Sequence, residues 1–131
     1  MNTFGTRSKS ALSTIDPDLY AILHDALEVY DFSVLCGYRG KDKQDEYFET
    51  GRSKKQFPDS VHNKAPSLAV DVAPWPIDWN DSLAFARLYG IIEAFAHIRG
   101  FKTRWGGDWD SDGGSRDQSF MDIGHIELVK E

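Results

Sequence analysis

Cysteine is nearly absent. The 131-residue chain has one, Cys36, which excludes an intramolecular disulfide and leaves no set of thiolates for a Cys-based zinc site. In the apolar run FSVLCG it is expected as a small core residue. Long hydrophobic runs are missing too. No stretch approaches the roughly 18 apolar residues that span a bilayer, and the opening MNTFGTRSKSALSTIDPDLY has no apolar signal-peptide core. The expectation is a chain made in the cytoplasm without a standard export signal or membrane anchor. Positive charge is in deficit, with 15 Lys and Arg against 21 Asp and Glu and a net charge of −6. That balance argues against a broad phosphate-binding surface, so no nucleic-acid partner is expected, although the patch GRSKKQ at 51–56 could touch an anionic group.

What is present describes a folded domain. A hydrophobic fraction of 40% with 13% aromatics suits one core, and the whole of 1–131 reads as a single domain, expected to be monomeric, without repeats or linkers. Asp16 can cap a first helix with Pro17 at its first position, and Leu19, Ile22, Leu23, Ala26, Leu27 and Tyr30 recur at helical spacing. DFSVLCGYR reads as a strand ending at Gly37, KDKQDEYFET as a short polar helix stopped by Gly51, and SLAVDVAP as a second strand. The longest helix starts near Asn80 or Asp81 and ends at Gly100. KTRWGGD and GHIELV read as two more strands. Two or three helices that do not alternate regularly with strands predict an α+β domain, a small, mostly antiparallel sheet packed with helices.

Asp71 interrupts an apolar strand, among Leu68, Ala69, Val70, Val72 and Ala73. A buried carboxylate costs on the order of several kcal/mol unless positive charge compensates it. Of the four histidines, His24 and His97 lie in amphipathic helices, where a structural role is the simplest reading. His62 and His125 stand beside acidic residues at strand edges, with Asp122 and Glu127 flanking the second. Two imidazoles and a carboxylate from separate segments could hold a divalent zinc ion with a fourth position for water. By residue type alone, this is one of several such triples the chain offers.

SVHNKAPSLAVD followed by DIGHIEL resembles the paired motifs, S-x-H…A-x-D and (D/E)-x-x-H, of the VanY/VanX-like zinc peptidases of peptidoglycan. FGTRS, GYRGKDKQDEYFETG, AVDVAPWPIDW, RWGGDWDSDG and the final HIEL resemble, in order and spacing, the branch of phage L-alanyl-D-glutamate endopeptidases, the endolysins. The resemblance implies a zinc site of His62, Asp71 and His125 at the sheet edge, with Asp122 as the catalytic carboxylate. It implies that Arg39 stabilises a substrate carbonyl or transition state, that Ser60 orients the His62 loop, that Gln44 and Trp105 line the cleft, and that Glu127 supports a ligand histidine. Asp71 would then be compensated by a directly bound dication, which makes water a competent nucleophile by bringing the pKa of a bound molecule to about 7. The implied activity is hydrolysis of the L-Ala–D-Glu bond of the peptidoglycan stem peptide. A D-Ala-D-Ala carboxypeptidase or dipeptidase is the alternative enzyme, and a non-catalytic wall-binding or virion-associated module the alternative class. With no separate wall-binding segment in the sequence, the expected setting is a thin Gram-negative wall, reached once a holin-type partner has permeabilised the membrane.

GGDWDSDGGSRDQS carries Asp108, Asp110 and Asp112 in alternation before Gly113, the opening D-x-D-x-D-G of a calcium loop. Position twelve is Ser119 in place of the bidentate glutamate, so Asp117, a carbonyl or water would have to complete the site. A regulatory calcium ion and a solvated acidic loop both remain open.

Overall fold

The computed structural model describes residues 2–107 and 122–130. The element order is α1 (Thr6–Leu12), α2 (Pro17–Leu27), β1 (Phe32–Cys36), α3 (Lys41–Glu49), a 3-10 turn (Val61–Asn63), β2 (Ala69–Pro74), α4 (Ser82–Ile98), β3 (Lys102–Gly106) and β4 (Asp122–Val129). The four strands form one antiparallel sheet in the order β1-β2-β4-β3. The α+β expectation holds, with four α-helices among the described residues where two or three were expected.

Local chemistry sets the helix ends. Asp16 caps α2, its carboxylate accepting from the backbone N–H groups of Asp18 and Leu19, with Pro17 at the first position. Asp81 caps α4, accepting from Ala84 N–H. Gly100 just beyond α4 has φ +84°, the left-handed conformation that a glycine adopts without steric cost.

Alternation gives the sheet two unlike faces. Phe32 and Val34 of β1, Val70 and Val72 of β2, and Ile126 and Leu128 of β4 join Leu19, Ile22, Leu23 and Ala26 of α2 and Leu88, Ile92 and Ala96 of α4 in a continuous buried cluster. Each large aliphatic side chain buried there contributes about 2 kcal/mol. The residues between them, Asp71 on β2 and His125 and Glu127 on β4, point to the opposite face, and in the register Asp71 lies directly across from His125. The expected sheet-edge position gives way to the central strand pair β2–β4.

Candidate metal centre

His62 sits in the 3-10 turn, which Ser60 and Asn63 close reciprocally: Ser60 Oγ accepts from His62 N–H at 3.3 Å and Asn63 Oδ1 from Ser60 N–H at 3.0 Å. The turn is tied to the end of β1 by Arg39 N–H donating to His62 O at 2.8 Å and by Asn63 Nδ2 donating to Arg39 O at 2.8 Å. The imidazole is buried, and its Nδ1 lies 2.7 Å from the carbonyl oxygen of Gly37. A carbonyl only accepts, so Nδ1 carries the proton and Nε2 presents a lone pair.

His125 reaches the complementary state from the other side. Its Nε2 is 2.8 Å from Glu127 Oε1, so that nitrogen donates to the carboxylate and Nδ1 keeps the lone pair. The two lone-pair nitrogens, His62 Nε2 and His125 Nδ1, are 3.2 Å apart. Asp71 Oδ1 lies 3.3 Å from the first and 3.7 Å from the second. Asp71 is 20% exposed, yet Oδ1 itself is sealed from solvent and has no hydrogen-bond partner among the described residues.

These three atoms fit a tetrahedral metal. Ligands at about 2.0–2.2 Å from a zinc ion stand about 3.3–3.6 Å apart along a tetrahedral edge, close to the triangle observed. The donor set, two neutral imidazoles and one carboxylate, suits a divalent metal ion with an open fourth position. The site also attracts protons. Burial opposes protonation of His62, but the adjoining Asp71 charge outweighs it and lifts the pKa to about 10. His125 is raised in the same contest, with the nearby Asp71 carboxylate and the hydrogen bond to Glu127 overcoming burial. Burial works against ionised Asp71 too, yet the two imidazoles hold its carboxyl far below the usual range. A metal ion at the centre of the triangle would take the place of these protons.

Asp122 begins β4 beside this triangle. An oxygen of Asp122, one of Asp71 and a nitrogen of His125 all lie within 4.8 Å of one another. Its carboxyl is pushed up, first by burial and then by the charge of Asp71, against the pull of His125, His62 and Arg39. Gly106 of β3 pairs with Asp122 across a bulge, and a Cβ there would press into the Asp122 backbone, so the glycine permits the close approach that sets this residue.

Arg39 is buried, with Nη2 donating to Asp71 Oδ2 at 3.0 Å and Nη1 to Gln44 Oε1 at 3.0 Å, while Nε has no hydrogen-bond partner among the described residues. Gln44, expected in the cleft wall, is instead fully buried behind it, its Nε2 donating to Ser53 Oγ at 2.9 Å and Lys55 O at 2.6 Å. Trp105 also stands away from the cavity, stacked on Tyr89 at 5.2 Å and donating from Nε1 to Ile123 O. Cys36, expected in the core, is only half-buried and borders the centre, within 4.8 Å of ligand atoms of His62 and Asp71. The register shift between Val34 and Cys36 brings it opposite Asp71, and strand alternation cannot anticipate a bulge. His24 packs against Phe4 and Tyr20, and His97 is exposed on α4, both apart from the site. The acidic run Asp108, Asp110 and Asp112 lies outside the described residues.

The centre opens into a cavity of about 530 Å³, bordered by His62, Asp71, Asp122 and His125 and walled on one side by Ile77 and Trp79. Trp79 lies against Gly124, where a side chain would meet its ring. Among the described residues, no helix is long and apolar enough to cross a membrane.

Comparison with known proteins agrees with this geometry. The chain is 34% identical to the L-alanyl-D-glutamate peptidase of Escherichia phage T5, with 96% of this chain and 97% of that protein covered. The crystal structure of the Serratia marcescens L-Ala D-Glu endopeptidase ChiX superimposes with a TM-score of 0.78 at 26% identity, over 98% of this chain and 90% of that one. The model of one family, described as phage L-alanyl-D-glutamate peptidase, matches residues 1–129. With that match over nearly its whole length, and with two imidazoles and a carboxylate converging as described, the chain belongs to the phage L-alanyl-D-glutamate peptidase family.

Proposed function

We propose that this protein is a zinc-dependent peptidoglycan endopeptidase that hydrolyses the amide between L-Ala and D-Glu of the stem peptide. The observation that carries the reading is the convergence of His62 Nε2, His125 Nδ1 and Asp71 Oδ1, each with its remaining polar atom engaged elsewhere. His62, Asp71 and His125 would hold the zinc ion, which when bound supplies a Lewis acid that activates water and polarises the scissile carbonyl.

The chain's own groups supply the rest. Asp122 accepts the proton of the attacking water on a carboxylate oxygen and returns it to the D-Glu nitrogen as the C–N bond breaks. Its raised pKa suits both directions of transfer. Arg39, fixed by Asp71 and Gln44, adds positive charge near the developing oxyanion. Glu127 and the Gly37 carbonyl hold the two imidazoles in the tautomers that keep their lone pairs on the metal side. Ser60 orients the turn that carries His62.

The test is mass spectrometry of fragments released from purified sacculi. The reading expects new D-Glu amino termini, whereas release of free D-Ala would favour the D-Ala-D-Ala peptidase and no release the non-catalytic module. In its setting the enzyme would reach the wall after a holin-type partner opens the membrane. Regulation by calcium at Asp108, Asp110 and Asp112 rests on the sequence alone. Titrating calcium into the zinc-loaded enzyme and its Asp110→Ala variant tests it, and an unchanged rate from micromolar to millimolar calcium would reject it.

A further inference from the structure

Among the described residues, cations outnumber carboxylates around the cavity of this acidic protein. Of the 15 Lys and Arg in the chain, Arg7, Arg39, Arg52, Lys54, Lys55 and Arg104 border it, against Asp71, Asp122 and Glu127 among the described carboxylates. Two of those carboxylates are already engaged, Asp71 by Arg39 and the imidazoles and Glu127 by His125.

Two of the cations, Arg52 and Lys55, are exposed on a segment that the buried site itself anchors. Gln44, bonded through Oε1 to Arg39, grips Ser53 Oγ and the Lys55 carbonyl through Nε2. The backbone N–H groups of Arg52 and Ser53 both donate to Tyr47 O. The Tyr47 ring carries the Arg52 guanidinium 4.1 Å from its centroid and the Arg39 guanidinium at 4.3 Å. Arg52 is thus held on an aromatic ring that also touches the arginine bound to Asp71, an arrangement that restricts a side chain with much rotamer freedom. Lys55, whose carbonyl Gln44 holds, borders the same cavity as Arg52. Such positioning lowers the entropic cost of binding an anion.

The substrate of the proposed reaction, on which this step rests, carries the matching charge. A D-Glu residue that continues the chain through one carboxyl keeps the other free, and in the γ-linked stem peptide that free group is attached to the same Cα as the departing nitrogen. The L-Ala side has no such group. We infer that Arg52 and Lys55 form a carboxylate subsite for the D-Glu half of the substrate, so that the enzyme selects stem peptides whose D-Glu α-carboxyl is free over those in which it is amidated.

The experiment compares two synthetic peptides, L-Ala-γ-D-Glu-L-Lys-D-Ala and the same peptide with the D-Glu α-carboxyl as its carboxamide, using the zinc-loaded full chain. Amidation removes the negative charge that would accept hydrogen bonds from the two cations, so kcat/KM should be about 10- to 100-fold higher for the acid. In Arg52→Gln combined with Lys55→Gln the ratio should fall toward one, chiefly through a raised KM for the acid, with zinc content retained. Arg52→Lys, which keeps the charge, should retain part of the preference. Equal cleavage of both peptides at the L-Ala–D-Glu bond by the unaltered enzyme would overturn the subsite while leaving the proposed reaction intact. An equal drop in activity on both peptides in the Gln variants would do the same. Cleavage at a different bond would overturn both.

Discussion

His62 Nε2 and His125 Nδ1 face each other at 3.2 Å while the opposite nitrogen of each ring is engaged, one by the Gly37 carbonyl and the other by Glu127. Two neutral imidazoles in those tautomers direct lone pair against lone pair, with the sealed Asp71 Oδ1 beside them. The arrangement is stable only with a cation or a proton between them.

Glu127 is therefore a test of tautomer control without loss of a ligand. Glu127→Gln replaces a charged acceptor with a neutral one, and zinc affinity should weaken about 10- to 100-fold with the fold retained. Competition against a chelator measures it, and an unchanged affinity would remove Glu127 from the account.

Protons and metal compete for the same atoms. With His62 raised to about 10 in the metal-free protein, the proposed zinc ion would have to displace a proton at any lower pH. Apparent affinity should tighten by about tenfold per pH unit through the neutral range, with a proton released on binding. Calorimetry in buffers of different ionisation enthalpy reads that proton, and pH-independent binding would contradict the assigned states.

Asp122→Asn should keep zinc bound and lower kcat by about 10²- to 10⁴-fold. The acid limb of kcat/KM in the unaltered enzyme should be set by the Asp122 carboxyl and disappear in the variant. Full activity in the Asn variant with zinc bound would assign the base elsewhere.

Asp16 offers a stability test remote from the site. Burial raises its carboxyl, but the contact with Lys130 Nζ at 2.9 Å and the cap bonds from Asp18 and Leu19 outweigh it, so the pKa is lowered in the folded chain. A group depressed on folding stabilises fully above its unfolded pKa, near 4, and loses that contribution as pH falls through the lower folded value. Asp16→Ala should cost about 1–2 kcal/mol at pH 7, and the difference should shrink below pH 4. Urea unfolding at both pH values checks it, and a pH-independent difference would refute the linkage.

Much of this was legible in the sequence because it rested on strong local signals. The Asp16–Pro17 pair set the start of α2, the apolar stripe of α4 ran to Gly100, and the anomalous Asp71 marked the centre. What escaped had weak or nonlocal signals. The helix α1 buries only Ser8 and Leu12 and has no side-chain cap, so TRSKSAL shows no apolar stripe. Cys36 follows the parity of Phe32 and Val34 in sequence but not in space, because of the bulge after Val34. Gln44 lies in a polar helix whose composition gave no sign that a fully buried amide would link Arg39 to the 53–55 segment.

The central claim is tested most directly by stripping the protein with a chelator and titrating zinc back while following cleavage of an L-Ala-γ-D-Glu peptide. The account predicts no turnover in the stripped protein and a rise to a plateau at one equivalent of zinc, with His125→Ala inactive throughout. Full activity without metal, or stoichiometric zinc binding with no cleavage of that bond, would contradict it.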